Sequence, residues 1–303
     1  MFPGSAAGQN FPSKPIRMLA SGVGGGGDFG SRLIAQGLTA SLGQQVVVEN
    51  RGGSAIIPAQ IVAQAPPDGY TLLSYASTIW LLPYLQSVPY DPVKDFSPIT
   101  LAVSSPNILV VHPSLSVRSV KELIALAKSR PGALSYASTA AGGPPHLAAE
   151  LFKSMAGVNI VRVPYKGAGL ALTELMAGQV QLYFLIPTAV MPYVKSGRVR
   201  ALAVTSARPS ELAPGLPTMA AFLPGYEMVT NLGIFAPART PDAIIRRLNQ
   251  EIVRVLNQPE VKERFFNAGT DTVGSSPEAF AAAMKVEMAA IARLITTAGI
   301  RAD

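Results

Sequence analysis

Cysteine is absent from the 303 residues, and histidine and tryptophan are scarce, at two copies and one. Without thiols there is no disulfide framework, no thiolate metal site and no cysteine nucleophile. No Ser-His-Asp triad, zinc spacing or nucleophile elbow can be assembled around His112 and His146. Charged residues are few, 14% against 49% hydrophobic, which implies a well-packed globular protein. No uninterrupted apolar run reaches the length of a membrane span. The start, Met1-Phe2-Pro3-Gly4-Ser5, has neither a basic n-region nor an apolar h-region, and residues 1–10 are expected to form a tail. The net charge is +7 and the isoelectric point near 9.7, which favours anionic partners. Lysine and arginine are scattered without a basic run or interleaved aromatics, so no nucleic-acid partner is expected.

What is plentiful is glycine, concentrated in Ser21-Gly22-Val23-Gly24-Gly25-Gly26-Gly27-Asp28. This stretch follows the apolar run Ile16 to Ala20 and precedes Leu33, Ile34, Leu38 and Leu42 at helical spacing. Strand, glycine loop and helix together aim backbone N–H groups and a helix N-terminus at an anion. No lysine or arginine lies inside the stretch, so an anion there would be held by amides and the helix dipole.

The same grammar occurs twice at nearly the same offset. The first copy comprises the Ile16–Ala20 strand, the glycine loop, a helix near Phe29–Leu42, the strand Val46–Val48, a helix Pro58–Gln64 and a strand Tyr70–Tyr75. The second comprises the strand Leu134–Ala137, a loop from Ser138 to Pro144, a helix Pro145–Met155, a strand Val158–Val163, a helix Leu170–Met176 and a strand Val180–Leu185. Between them Asn107–His112 reads as a strand, and Ser119 with Glu122 forms a capping box before the helix Val120–Lys128. Downstream, Arg200–Thr205 and Leu232–Ala236 read as strands, and Asp242–Leu256 and Glu278–Ala298 as helices. Alternating strands and helices imply two α/β lobes, each a mostly parallel sheet flanked by helices. Ligands of such sheets sit beyond the carboxyl ends of the strands. The loops at Ser21 and Ser138 both occupy that position and are expected to grip one anionic ligand across a cleft. The strands at Asn107–His112 and Leu232–Ala236 are the candidate crossovers.

Gly22-x-Gly24-x-x-Gly27, with Glu49 after the next strand, formally matches a dinucleotide fingerprint, and a nucleotide-binding enzyme is kept as an alternative. Asp28 counts against it, because it would set a carboxylate beside a pyrophosphate. Asp28 either caps its helix or meets a donor on the ligand. His146, in the first turn of its helix, either bonds a carboxylate or fills space. Ser138 and Thr139 either cap their helix or contact the ligand. Trp80 reads as core, Glu49-Asn50-Arg51 as a strand-end salt-bridge and turn device, and Lys166 as exposed.

Phe11-Pro12-Ser13-Lys14-Pro15-Ile16-Arg17, Gly25-Gly26-Gly27-Asp28, Val47-Val48-Glu49-Asn50-Arg51, Pro67-Asp68-Gly69-Tyr70 and Val163-Pro164-Tyr165-Lys166-Gly167 occur in this order, followed by Arg200-Ala201-Leu202-Ala203-Val204-Thr205-Ser206. The chain thereby resembles the substrate-binding proteins of tripartite tricarboxylate transporters, the Bug family, from Phe11 to the C-terminus. The resemblance implies a type II periplasmic binding protein, or Venus flytrap, that binds a small carboxylate without catalysis, metal or cofactor. It implies a periplasmic location, a monomer, and transient docking on the transporter's membrane subunits; input to a signalling receptor is the other role considered. Lobe 1 would comprise 11–112 plus 231–303, and lobe 2 would comprise 113–230. The site residues implied are Ser21, Gly22, Val23, Gly24, Asp28, Ala76, Ser77, Thr78, Ser138, Thr139, Ala141, Gly142, His146, Tyr165 and Leu185. Gln181 and Leu185 stand where the family usually has acids, and Ile56 or Ile57 where it has an asparagine. Both departures suggest a less polar cleft, and a carboxylate with an apolar or aromatic body rather than an amino acid.

Overall fold

Ile16–Ala20 (β1) and Thr71–Ala76 (β3) are buried along nearly their whole length, as strands covered on both faces are. In the computed structural model, which describes residues 11–24, 26–51, 54–138, 143–165 and 167–298, they lie side by side in a six-stranded sheet. In chain order the elements that follow β1 are α1 (Gly26–Leu42), β2 (Val46–Asn50), α2 (Ile56–Ala63), β3 and α3 (Thr78–Leu81). Next come β4 (Phe96–Pro106), β5 (Ile108–Val111), α4 (Val120–Ser129), β6 (Ser135–Ser138), α5 (Pro144–Ala156) and β7 (Val161–Pro164). They are followed by α6 (Ala168–Met176), β8 (Leu182–Leu185), α7 (Pro187–Lys195) and β9 (Arg200–Val204). The chain ends with β10 (Val229–Pro237), α8 (Asp242–Leu256), α9 (Pro259–Asn267), β11 (Asp271–Thr272) and α10 (Pro277–Ala298).

Two compact units result. Among the described residues unit 1 takes 11–104 with 231–290, and unit 2 takes 105–230 with 291–298. The sheet of unit 1 has the order β11-β4-β10-β3-β1-β2, and that of unit 2 the order β7-β6-β8-β5-β9. The sequence repeat is therefore a repeat of topology. In unit 1, β1 pairs parallel with β2 and β3, and β10 adds antiparallel to β3. In unit 2, β6 pairs parallel with β7 and β8, and β5 adds antiparallel to β8.

The chain leaves unit 1 within β4, returns at the start of β10 and passes into unit 2 again within α10. The sequence-drawn boundary at residue 112 lies inside unit 2, because β5 is hydrogen-bonded between β8 and β9 there. The crossover expected at Asn107–His112 falls instead to β4. No strand is predicted for 96–106 because Pro98 interrupts it and its burial does not alternate. α7 and α9 are likewise unforeseen, since Pro192 sits inside α7. β7 and β8 start at Val161 and Leu182, later than the apolar runs suggest.

In unit 1, α1 buries Leu33, Ile34, Ala35 and Leu38 in one cluster with Ile245, Leu248, Ile252 and Val255 of α8. Trp80 is core as expected: its Nε1 donates to Glu287 Oε2 at 2.9 Å, and the rings of Phe235 and Phe280 meet it edge-on. Unit 2 has its own cluster, including Ile108, Val110, Leu172, Leu175, Tyr183 and Val204. Half of the predicted capping box forms as drawn, Glu122 N–H donating to Ser119 Oγ, while Glu122 Oε2 accepts the N–H of Arg118, one residue before the N-cap.

The seam between α1 and α8 depends on Gly37, where an added Cβ would stand 2.4 Å and 2.6 Å from the two methyls of Val255. Alanine would gain about 1 kcal/mol of helix propensity, but the overpacking costs about 1–3 kcal/mol. Gly37→Ala is therefore expected to lower the urea midpoint of unfolding; a midpoint at or above the wild-type value would refute this account of the seam.

Candidate functional site

The loop after β1 is held in place by one carboxylate. Asp28 sits in the first turn of α1 rather than at its N-cap, and it is buried. Its Oδ2 accepts the Gly24 N–H at 2.9 Å, reaching back as the acidic member of a capping box does. Its Oδ1 accepts from Asn50 Nδ2 at 2.7 Å and from Arg32 Nε at 2.8 Å. Asn50, at the end of β2, also donates to the Ser21 carbonyl at 2.7 Å and accepts from Arg32 Nη2 at 2.6 Å. The loop is thus tied at Ser21 and at Gly24 to the same amide–carboxylate pair. The Gly24 N–H and the Asn50 amide, ahead of the Arg32 charge, hold the Asp28 carboxyl below the ordinary aspartate range.

Glycine is required here by geometry. Gly24 has φ +85°, the left-handed region, whereas a Cβ on Gly27 would press only on Ser21 Oγ, 2.5 Å away, which could turn aside. Ser31 Oγ lies 2.6 Å from the Gly27 carbonyl and 2.8 Å from Ser74 Oγ of β3, and its single hydrogen serves these two acceptors in a buried link between α1 and the neighbouring strand. Ser21 and Gly22 are half-buried, while Val23 and Gly24 are exposed. The loop after β3 lies at the same sheet end. Ser77 is buried, its N–H donates to the Asn231 carbonyl at 2.9 Å, and its carbonyl accepts the Trp80 and Leu81 N–H groups. Ala76 and Thr78 are half-buried. Glu49 is gripped by Arg17 at 2.8 and 3.0 Å, with Arg51 at 3.6 Å, and Arg17 lowers its pKa. The expected salt-bridge device at Glu49-Asn50-Arg51 is present, and Asn50 proves to be its most consequential member.

In unit 2 the loop after β6 begins at Ser138, which is fully buried. Ser138 Oγ accepts from Arg162 Nε at 2.8 Å, and its carbonyl accepts the Tyr165 N–H at 2.8 Å. Ser138 and Tyr165 are therefore brought together. Arg162 is a site residue that the sequence did not single out; its signal was the register of β6 with β7, which sets Tyr136 beside it. Thr139, Ala141 and Gly142, and Lys166, lie outside the described residues. His146 is buried in the first turn of α5, its ring stacked on Tyr136 with centroids 6.5 Å apart. The Tyr136 hydroxyl donates to Glu150 Oε1, which also accepts from Lys153 Nζ at 2.6 Å. Burial, and then the Glu150 bond, push the Tyr136 phenol far above its ordinary range.

Two expectations need physical correction. Gln181 precedes β8 and its Oε1 accepts from the N–H and hydroxyl of Ser135, at the start of β6. It therefore sits at the sheet end opposite Ser138, and its lack of charge bears on no loop of the candidate site. Leu185 is buried in the core cluster of unit 2, and the exposed apolar side chain at that strand end is Ile186. On α2, Ile57 is exposed and Ile56 half-buried. Among the described residues no group of three or more His, Cys, Asp or Glu could hold a metal ion, and no helix is long and apolar enough to cross a membrane.

Both units thus place a small-residue loop between a central parallel strand and a helix N-terminus. Residues 31–300 match the TctC family, the tripartite tricarboxylate transporter family receptor. The chain belongs to that family. Among its relatives is Protein BugT of Bordetella pertussis, 37% identical over 276 residues that cover 88% of this chain and 84% of that protein. Among solved structures, Rpa4515 of R. palustris with adipate is 36% identical with a TM-score of 0.78, covering 96% of this chain and 99% of that one. MatC from Rhodopseudomonas palustris with bound malate is 26% identical with a TM-score of 0.74, covering 94% and 100%.

For this receptor, Asp28→Asn turns one acceptor oxygen into a donor facing other donors, and is expected to destabilise unit 1 by about 1–3 kcal/mol. Because the native pKa of Asp28 is lowered, its stabilisation is complete above the unfolded value of about 3.9 and is lost as pH falls from there through the native value. Denaturant titrations at pH 7 and pH 3 should show a smaller acid-induced loss in the variant; an equal loss in both proteins would remove Asp28 as the source.

Proposed function

We propose that this protein is a periplasmic receptor that captures a small carboxylate with an apolar body and passes it to the membrane subunits of a tripartite transporter. It acts as a monomer, without catalysis or cofactor. The observation that carries this is the pairing of a small-residue loop with a helix N-terminus, α1 or α5, at the end of a central strand in each unit. Amide groups and a helix dipole there suit an anion. The family membership and the dicarboxylates bound by two relatives support the substrate class. The residues proposed to meet the ligand are Ser21 to Gly24 and Ala76 to Thr78 in unit 1. In unit 2 they are Ser138, Thr139, Ala141, Gly142 and Tyr165. Asp28 acts through the loop it anchors, and His146 and Leu185 support the unit 2 side from behind.

The acids near these strand ends favour a ligand without an ammonium group. Asp28 is held by Gly24, Asn50 and Arg32, Glu49 by Arg17 and Arg51, and Glu150 by Tyr136 and Lys153. An α-ammonium group would have to break one of these arrangements to find a partner. Val23, Ile57 and Ile186 instead offer exposed apolar surface at 78%, 51% and 40%.

A thermal-shift panel of adipate, malate, aromatic carboxylates, aspartate and glutamate tests this. A carboxylate bound at a hundred times its Kd stabilises by about 2.7 kcal/mol. The expected result is an upward shift with adipate or an aromatic carboxylate and none with the amino acids. Stabilisation by aspartate or glutamate alone would sink the proposal.

A further inference from the structure

Two side-chain polar atoms are buried without a hydrogen-bond partner among the described residues: Asn107 Nδ2 and the Tyr183 hydroxyl. Tyr183 lies within the apolar cluster of unit 2. Asn107 is differently placed, immediately before β5, and is only 2% exposed. Its backbone is fully used: its N–H donates to Thr205 Oγ1 at 2.8 Å, and its carbonyl accepts the Thr205 N–H at 2.9 Å. The side-chain amide is left holding donors with nothing to donate to.

The register says where in the sheet this happens. Ile108 lies opposite Leu185 in the antiparallel pair of β5 and β8. One residue beyond that pair, Asn107 is set across from Ile186, at the carboxyl end of β8. Because β6, β7 and β8 are parallel, this is the end at which β6 stops at Ser138 and β7 at Pro164. At that same end Arg162 of β7 donates to the Ser138 hydroxyl of β6, which lies two strands from β5. Buried polar groups are almost always satisfied. A donor kept unpaired at the ligand end of a sheet is one held for an acceptor from outside the chain.

We infer that Asn107 is a ligand-binding residue of unit 2, its Nδ2 reserved for a carboxylate oxygen of the bound solute. This rests on the receptor function proposed above and adds a residue that lies on none of the loops. A carboxylate has only acceptors, so it satisfies the amide without rearranging the Thr205 bonds. An amide that donates to it also discriminates against a solute carrying an apolar group at that point.

The test is calorimetric titration of adipate into the wild-type chain, Asn107→Leu and Asn107→Asp, with thermal unfolding of each in the absence of ligand. Leucine keeps the volume and removes the unpaired donor, so the ligand-free melting temperature should be equal or higher, while affinity falls by about tenfold or more. Aspartate sets a negative charge against the solute, and the loss should reach about a hundredfold. Should the leucine variant fail to fold, the aspartate variant decides by its affinity. A leucine variant that melts lower yet binds adipate within about twofold of wild type overturns the inference, since the amide then serves an internal water or protein oxygen. Unchanged affinity in the aspartate variant overturns it equally. A wild-type chain that binds no carboxylate of the panel refutes the receptor proposal and Asn107's role with it. Wild-type binding with unaffected variants refutes only the role of Asn107.

Discussion

The carboxylate of Asp28 sets the form of the loop after β1. It accepts the Gly24 N–H on one oxygen and the Asn50 amide and Arg32 guanidinium on the other. Asn50 closes the circuit by donating to the Ser21 carbonyl. A loop rich in glycine would otherwise sample many conformations, and the entropy of ordering it would fall on whatever bound there. Here that ordering is done in advance, by groups belonging to β2 and α1. The amides left over can then present a fixed pattern.

Unit 2 repeats the topology but not this device. Its loop also starts at the end of a central strand, yet the anchoring residue is Ser138, held by a cation from β7 rather than by an anion from the following helix. The acid in α5, Glu150, is turned inward to Tyr136 and Lys153. Duplicated backbones therefore carry different local anchors: a carboxylate in unit 1, and an arginine bonded to a serine hydroxyl in unit 2.

Much of the fold was legible because it follows from local pattern. β1, α1, β2 and β3 are each announced by apolar spacing and bounded by glycine or proline, and the same holds for β6 and α5. The rest depends on long-range pairing. β4 contains Pro98 and no alternation, and only its neighbours in the sheet make it a strand. Within the candidate site, the two loops could be found from sequence because small residues cluster there. Arg162 and Asn107 could not, since each acquires its place through register across strands. Gln181 shows the reverse: it and Leu185 stand at opposite ends of β8, and only one end of a strand can face the ligand. Leu185 and Ile186 repeat it at single-residue scale, where a shift of one position exchanges core for surface.

The glycine loop has neither lysine nor arginine of its own. An anion seated there would be held by oriented dipoles, each worth far less than a desolvated ion pair. Such a grip is quick to relax once a single contact is lost, because no buried charge is stranded when the anion departs. For a carrier, the ease of letting go matters as much as the strength of holding. Residence time, more than equilibrium affinity, is the property that this loop's chemistry leaves open to adjustment.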